Sequence, residues 1–482
     1  MDAGVADEAC ASFVLTGGAA TPVRRWLLKS LSQSRLITRQ REAAVNLHTG
    51  CRTITVMAAG SRKRAARNQI RCWVCLLAWG LLVGAAAGAG PTAHRLQVPP
   101  PIPPAAHIPV EPLGFRAPSR FYLAFRVPSA TLDFVDDTHL LFTFHQSTLM
   151  HREEKDPEDD EDQTIAAVLL ELPEGKVVER TTWRLHDKGR YLWALGHGRF
   201  LERERNTLYL LEFAPGRSLL LSRTPYLNPE GQLVSLQFSP NRSHMVVEYR
   251  EEAERDDESE KSAGQPTLGD VPRRHAHKVR LLVIDTEAGK VEKTATLPEA
   301  ITLPLLGAGY LEMEQGKGKL WKISLKPFGG EPRKLVEVTS NCQPSLQALS
   351  EQAFMAQLCI PNTSDYLMQA YDLEGQKIWE QQWEARYVWG SFDYAANGSR
   401  FAYESVQLDH AIATLDPVDE NSITGEPVGV FDVADGGLRL VSGADPILSA
   451  GQNYALSADG ERFAVLRDGA IEVYKLPPAA VR

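Results

Sequence analysis

The chain contains no HExxH, GxSxG, P-loop or GxGxxG motif. The one-segment signatures of zinc proteases, α/β-hydrolases and nucleotide-binding folds are therefore missing. It also lacks an excess of positive charge: the net charge is −9, which argues against a non-specific nucleic-acid partner. No helical period of useful length follows residue 120. Cysteine is scarce. Of six, Cys10, Cys51, Cys72 and Cys75 lie near the N-terminus, leaving only Cys342 and Cys359 further on. What the chain has in quantity is 36 glycines and 30 prolines, placed between short apolar runs. That is the punctuation of an all-β protein. With 482 residues it exceeds one ordinary core but suits a closed array of repeats.

The N-terminal stretch reads as an address. Arg62, Lys63, Arg64, Arg67 and Arg71 precede the apolar run Cys72–Val83, and Ala85-Ala86-Ala87 and Ala87-Gly88-Ala89 follow it. This is the charged, apolar and small-residue order of a secretory signal peptide over residues 57–89. The competing reading, an uncleaved anchor, needs a longer apolar span. Residues 1–56 then read as an upstream extension without a structural pattern. Residues 90–119, centred on VPPPIPPAAHIPVEP, read as a stiff polyproline spacer, with a proline-rich ligand as the alternative.

The remainder, 120–482, is periodic. The run Asn453–Leu476 shows the unit: a turn at Ser457-Ala458-Asp459-Gly460, a strand Arg462–Leu466, a hairpin turn at Asp468-Gly469, and alternation through Ile471 and Val473. Turn glycines recur at Gly175, Gly216, Gly289, Gly330, Gly375 and Gly436, and three of the five spacings fall at 41 to 45 residues. The other two return to that period once the polar inserts Arg250–Lys278 and Gln407–Pro427 are removed. A period of this size is that of a four-stranded propeller blade. Blade starts near residues 132, 191, 233, 301, 344, 387 and 452 give seven blades, or six or eight if one unit is misread. The last unit is one strand short. Phe121–Val127 is the apolar strand expected to complete it beside Ala470–Tyr474 and so close the ring.

The segments Phe238-Ser239-Pro240-Asn241, Tyr394-Ala395-Ala396-Asn397-Gly398 and Leu456-Ser457-Ala458-Asp459-Gly460 resemble the repeats of bacterial exported WD40-like and YVTN-like propellers. The stretch Tyr371–Trp379 looks like a quinoprotein repeat. The resemblance covers about residues 120–476, and the Gly-His and Trp-Asp pairs of true WD40 blades are missing. It implies a fold and no particular activity.

Candidate chemistry is sparse. His275-Ala276-His277 would place two imidazoles on one side of a strand, but Arg273, Arg274 and Lys278 beside them disfavour a metal ion. The run Glu158–Asp162 lacks the spaced ligands and the glycine of a calcium loop. Trp183 and Trp379 occupy the quinoprotein position in only two units, so they read as packing between blades. No cofactor and no metal are expected. Cys342 and Cys359 are expected to pair, because a bend near Ser350 and Glu351 would set them opposite one another in an oxidising compartment.

The chain is thus expected to be an exported, monomeric propeller, periplasmic or extracellular, without stable membrane insertion once the signal is removed. The expected role is recognition or scaffolding of a protein or small ligand. A propeller enzyme, a hydrolase or lyase before a quinoprotein dehydrogenase, is the alternative. The inserts His151–Gln163, Arg250–Lys278 and Gln407–Pro427 should share one end of the ring. Glu158, Asp159, Asp160, Asp256, Asp257, Asp416, Asp419 and Glu420 would make that end acidic and suited to a basic partner or a cation. The signal pattern predicts cleavage after Ala87 or Ala89. N-terminal sequencing of exported protein checks it, and a mature chain still carrying Trp73–Val83 would contradict it.

Overall fold

The computed structural model describes residues 98–117, 129–146, 163–185, 189–213, 218, 220, 222–229, 231–250, 278–412, 418–448 and 450–481. Within the unit formed by 91–413 and 418–482, seven antiparallel sheets stand in a ring. Blade 1 holds Ser129–Phe134, His139–Gln146, Gln163–Glu171 and Lys176–Leu185. Blades 2 to 6 begin at Leu192, Gln232, Leu305, Ser345 and Tyr387, and blade 7 at Tyr454. Each start lies within four residues of the periodic expectation.

Burial follows position in the blade. The second and third strands of blade 1 are buried almost throughout, because neighbouring blades cover both of their faces. The fourth strands, such as Lys290–Leu297, are largely exposed and form the outer rim. The core is accordingly a series of layers between blades. One layer packs Leu141, Ile165 and Trp183 of blade 1 against Tyr191, Phe200 and Leu211 of blade 2. The tryptophans pin such layers: Trp183 Nε1 donates to Leu220 O at 2.9 Å and Trp379 Nε1 to Val433 O at 3.0 Å, each in the next blade.

The repeated turns have one mechanism. Asn241, Asn397 and Asp459 each accept, at 2.9 Å, the backbone N–H two residues on, which closes the turn between first and second strands. The periodic glycines lie between third and fourth strands. A Cβ on Gly375 would stand 2.2 Å from Leu335 O, so only glycine lets that turn approach the preceding blade.

Ring closure corrects the expectation in its particulars. An N-terminal strand does complete blade 7, but it is Ala106–Pro109, inside the stretch read as a spacer. It pairs with the third strand of that blade, Ala106 with Val473 through Pro109 with Ala470. Phe121–Val127, expected there, lies outside the described residues. The alternation Ala106-His107-Ile108-Pro109, buried-exposed-buried-exposed, is too short to stand out among prolines. Val110, Leu113 and Phe115 then enter the core, and Phe115 meets Phe142 and Phe144 edge-on. A second seal was not anticipated: Ala450–Gln452 runs parallel to Ser129–Phe134 on its inner side.

Cys342 and Cys359 are bonded, with Cα atoms 5.7 Å apart. The ladder of that hairpin pairs Ser345 with Gln357, one residue away from the register expected from a bend at Ser350-Glu351. The bond forms because Cys342 sits ahead of the ladder, where Ser340 Oγ accepts the N–H of both cysteines.

Because strands alternate in direction, second-to-third connections and blade-to-blade connections share one end of the ring. The segments 147–162 and 251–277, and the connection from Leu408 to Pro427, are all second-to-third connections, in blades 1, 3 and 6. Their roots therefore lie at one end.

Removing residues 98–109 should expose the edge of Ala470–Lys475 and lower the melting temperature sharply. Phe115→Ala should cost about 3–5 kcal/mol as a buried aromatic truncation. Thermal melts of both variants check this, and a deletion that melts with the intact chain would contradict the closure.

Candidate functional site

The innermost strands carry charge where packing alone would call for apolar side chains. Asp133 of blade 1 and Asp393 of blade 6 are buried, and Arg190, ahead of blade 2, lies half-buried between them and blade 7. Arg190 donates through Nη2 to Gln452 Oε1 at 3.1 Å and through Nε to Leu192 O at 3.1 Å. Arg242, from the first turn of blade 3, reaches Asp393 Oδ1 at 3.0 Å. Asp393 Oδ2 accepts the N–H of Leu456 in blade 7 at 2.8 Å. Five blades thus contribute to one polar network along the axis.

Blades 3 and 6 repeat a Ser–Glu pair thirteen residues apart. Ser235 Oγ donates to Glu248 at 2.7 Å and Ser391 Oγ to Glu404 at 2.6 Å. In each case a bulge precedes the serine and re-aims it, at Leu233/Ser235 and at Val388/Ser391. Their fates diverge. Glu248 accepts Ile301 N–H at 2.8 Å and ties blade 3 to blade 4. Glu404 instead stands beside Glu426, with Ser391 also bonded to Tyr454 at 2.8 Å and Asn453 Nδ2 reaching Glu426 at 3.3 Å. Burial raises both carboxyls, and Glu404 raises Glu426 further, so the pair retains a proton that separated carboxyls would lose.

The blade 6 bulge has a further consequence. Trp389 takes φ 55, a conformation bulky residues rarely adopt, and is 46% exposed. Gly390, next in the bulge, lies close against the Tyr403 ring, which a Cβ there would strike at 2.4 Å. Trp389 lies at the start of its strand, hence at the insert-bearing end, beside the channel mouth. At the opposite end a depression of about 540 Å³ is lined by His197, Arg242, Ser243, Asn397 and Asp459 among others.

Of the acidic residues expected at the working face, Asp419 is exposed and caps the short 3₁₀ turn Glu420–Ser422, accepting Asn421 N–H at 3.0 Å. Asp416, Glu158, Asp159, Asp160, Asp256 and Asp257 lie outside the described residues, as do His275 and His277. Trp389, Glu404, Glu426, Asp133 and Arg190 were missed, because the first three come together only across the strands of blade 6, and Asp133 and Arg190 only across blades. The recurrence of Ser235/Glu248 and Ser391/Glu404 at one spacing was the legible signal.

No model of a protein family matches the chain, and no curated protein does. Among solved structures it is similar to the Pyrococcus horikoshii acylaminoacyl peptidase, at 13% identity over 75% of this chain and 53% of that one, TM-score 0.42. It is also similar to a chain of the COPII outer coat vertex on membranes (11%, 72% and 84%, TM-score 0.36) and to TolB from Acinetobacter baumannii (10%, 70% and 77%, TM-score 0.31). The chain spans about half the length of that peptidase.

Burial pushes Asp133 up to about 6 from the ordinary 3.8, with Arg190 pulling the other way and Asp393 adding to the rise. The protonated form is favoured in the fold, so its stabilisation is complete below pH 3.8 and is lost as pH rises through about 6. Asp133→Asn removes that loss. The stability of the variant relative to the native chain should rise between pH 4 and 7 by up to ~3 kcal/mol. Denaturant melts at both pH values test this; a difference independent of pH would contradict it.

Proposed function

We propose that this protein is an exported recognition propeller that takes a cationic ligand, a basic protein segment before a small cation, at the insert-bearing end of its ring. The observation that carries this reading is Trp389. An exposed tryptophan in a strained conformation at a bulge, on the same blade as the half-buried Glu404 and the buried Glu426, suits a binding role. An indole face and nearby acids together suit an ammonium or guanidinium group.

The insert roots at the same end support the reading, because the inserts add acidic sequence there. Residues 151–163 hold eight acids against Arg152 and Lys155, and residues 407–427 hold five with no lysine or arginine. Export is supported by the Cys342–Cys359 bond and by the signal-like N-terminal sequence. Among the described residues no helix is long and apolar enough to cross a membrane.

A second reading has one observation in its favour. Glu404 and Glu426 form a carboxyl pair that keeps a proton, which is a starting point for acid–base hydrolysis. Both already have hydrogen-bond partners within the protein, Ser391 and Asn453, which favours binding over turnover.

The test is titration of the full chain with a labelled ten-residue Lys/Arg peptide at low and physiological salt. Trp389→Ala should weaken binding about fivefold to thirtyfold, as loss of a cation–π contact would. Shortening the inserts to tight turns should weaken it further and flatten its salt dependence. Peptide binding that neither change affects, with unaltered melting temperatures, would overturn the proposal.

A further inference from the structure

At the end of the ring opposite the inserts, three strands of blade 3 bring together one imidazole and two carboxylates. His244 opens the second strand, Asp285 ends the third, and Glu292 lies near the start of the fourth. One donor atom from each lies within 4.8 Å of the other two. We propose that His244, Asp285 and Glu292 form a binding site for a divalent transition-metal ion, of which Zn²⁺ is the representative.

The donors are arranged as such an ion requires. His244 Nε2 stands 3.3 Å from Glu292 Oε2. Two donors at ~2.0–2.1 Å from a tetrahedral zinc ion are separated by about 3.3–3.4 Å. The imidazole is held from its other side, for Nδ1 lies 2.9 Å from Ser243 Oγ. With Nδ1–H donated to that hydroxyl, the Nε2 lone pair faces the two carboxylates. This is the outer support that metal-bound histidines characteristically have. Phe328 of blade 4 lies against the ring at a centroid distance of 5.0 Å and limits its rotation.

Asp285 is prepared in the same way. Its Oδ1 accepts the N–H groups of Ala288 at 2.8 Å and Glu287 at 2.9 Å. These bonds fix the orientation of the carboxyl and leave Oδ2 for an ion. One nitrogen and two carboxylate oxygens suit zinc and its neighbours better than calcium, which takes six to eight oxygens. Lys290 faces Asp285 across the ladder, and its charge opposes binding. Three protein donors leave a fourth position for water or for a group of a partner.

The experiment is calorimetric titration of the full, chelator-treated chain with ZnCl₂, alongside Glu292→Gln, His244→Ala and a His275→Ala/His277→Ala control. One equivalent should bind to the intact chain and to the control alike. Glu292→Gln and His244→Ala should each weaken binding at least tenfold. Glu292 lies on the exposed outer strand, so its variant decides the matter if His244→Ala melts early. The proposal is overturned if the intact chain takes up no stoichiometric zinc. It is equally overturned if Glu292→Gln binds as the intact chain does, or if only the control loses binding.

Discussion

A ring of sheets leaves one gap that its own period cannot fill: the last blade must receive a strand from the other end of the chain. Here Ala106–Pro109 supplies it, hydrogen-bonded beside Ala470–Lys475. The rest of the structure depends on this pairing, because an unclosed ring would expose backbone donors and acceptors along an edge. Ile108 lies against Gly175 in the last turn of blade 1, so the closing strand locks to both blades that it joins. Gly451 is needed for the inner seal, since a Cβ there would stand 2.0 Å from Ala130 O.

The seam between blades 6 and 7 is held by a buried ion pair. Arg400 is 1% exposed and bonds Asp432 at 2.7 Å, Gly460 O at 2.5 Å and Pro477 O. Asp432 also receives Arg439 and the N–H of Ala480. Burying such a charge is costly unless every donor is used, and these donors are used on the neighbouring blade and the C-terminal tail. The pair adds geometric definition to a seam that Asp393 and Ser391 also bridge, through Leu456 N–H and Tyr454. Glu351 does comparable work on the other side, joining the first turns of blades 3 and 4 to blade 5 through the N–H groups of Asn241 and Gly307.

The two ends of the ring have different chemistry because antiparallel strands sort their connections. Second-to-third connections carry the inserts and lie with Trp389 and the Glu404–Glu426 pair. First-to-second turns are short, closed by Asp136, Asn241, Asn397 and Asp459 in blades 1, 3, 6 and 7, and the ion-binding candidates of blade 3 sit at that end. At the same end, Arg242 and Asp393 join blades 3 and 6.

The sequence by itself determined the repeat, and with it the number of blades, their starts and their four-stranded order. Those properties are local: a turn glycine, an Asn or Asp closing a loop, and apolar alternation each act within a few residues. It also determined the disulfide, since only two cysteines remained to pair, although the hairpin register differs by one residue. Tertiary structure decided which strand closes the ring, because four residues among prolines carry too little alternation to be distinguished from Phe121–Val127. It decided the site as well. Asp133, Arg190, Arg242 and Asp393 meet from four blades, and His244, Asp285 and Glu292 meet across three strands. No spacing along the chain encodes those meetings, since they follow from the circular order of the blades and the pairing of strands within them.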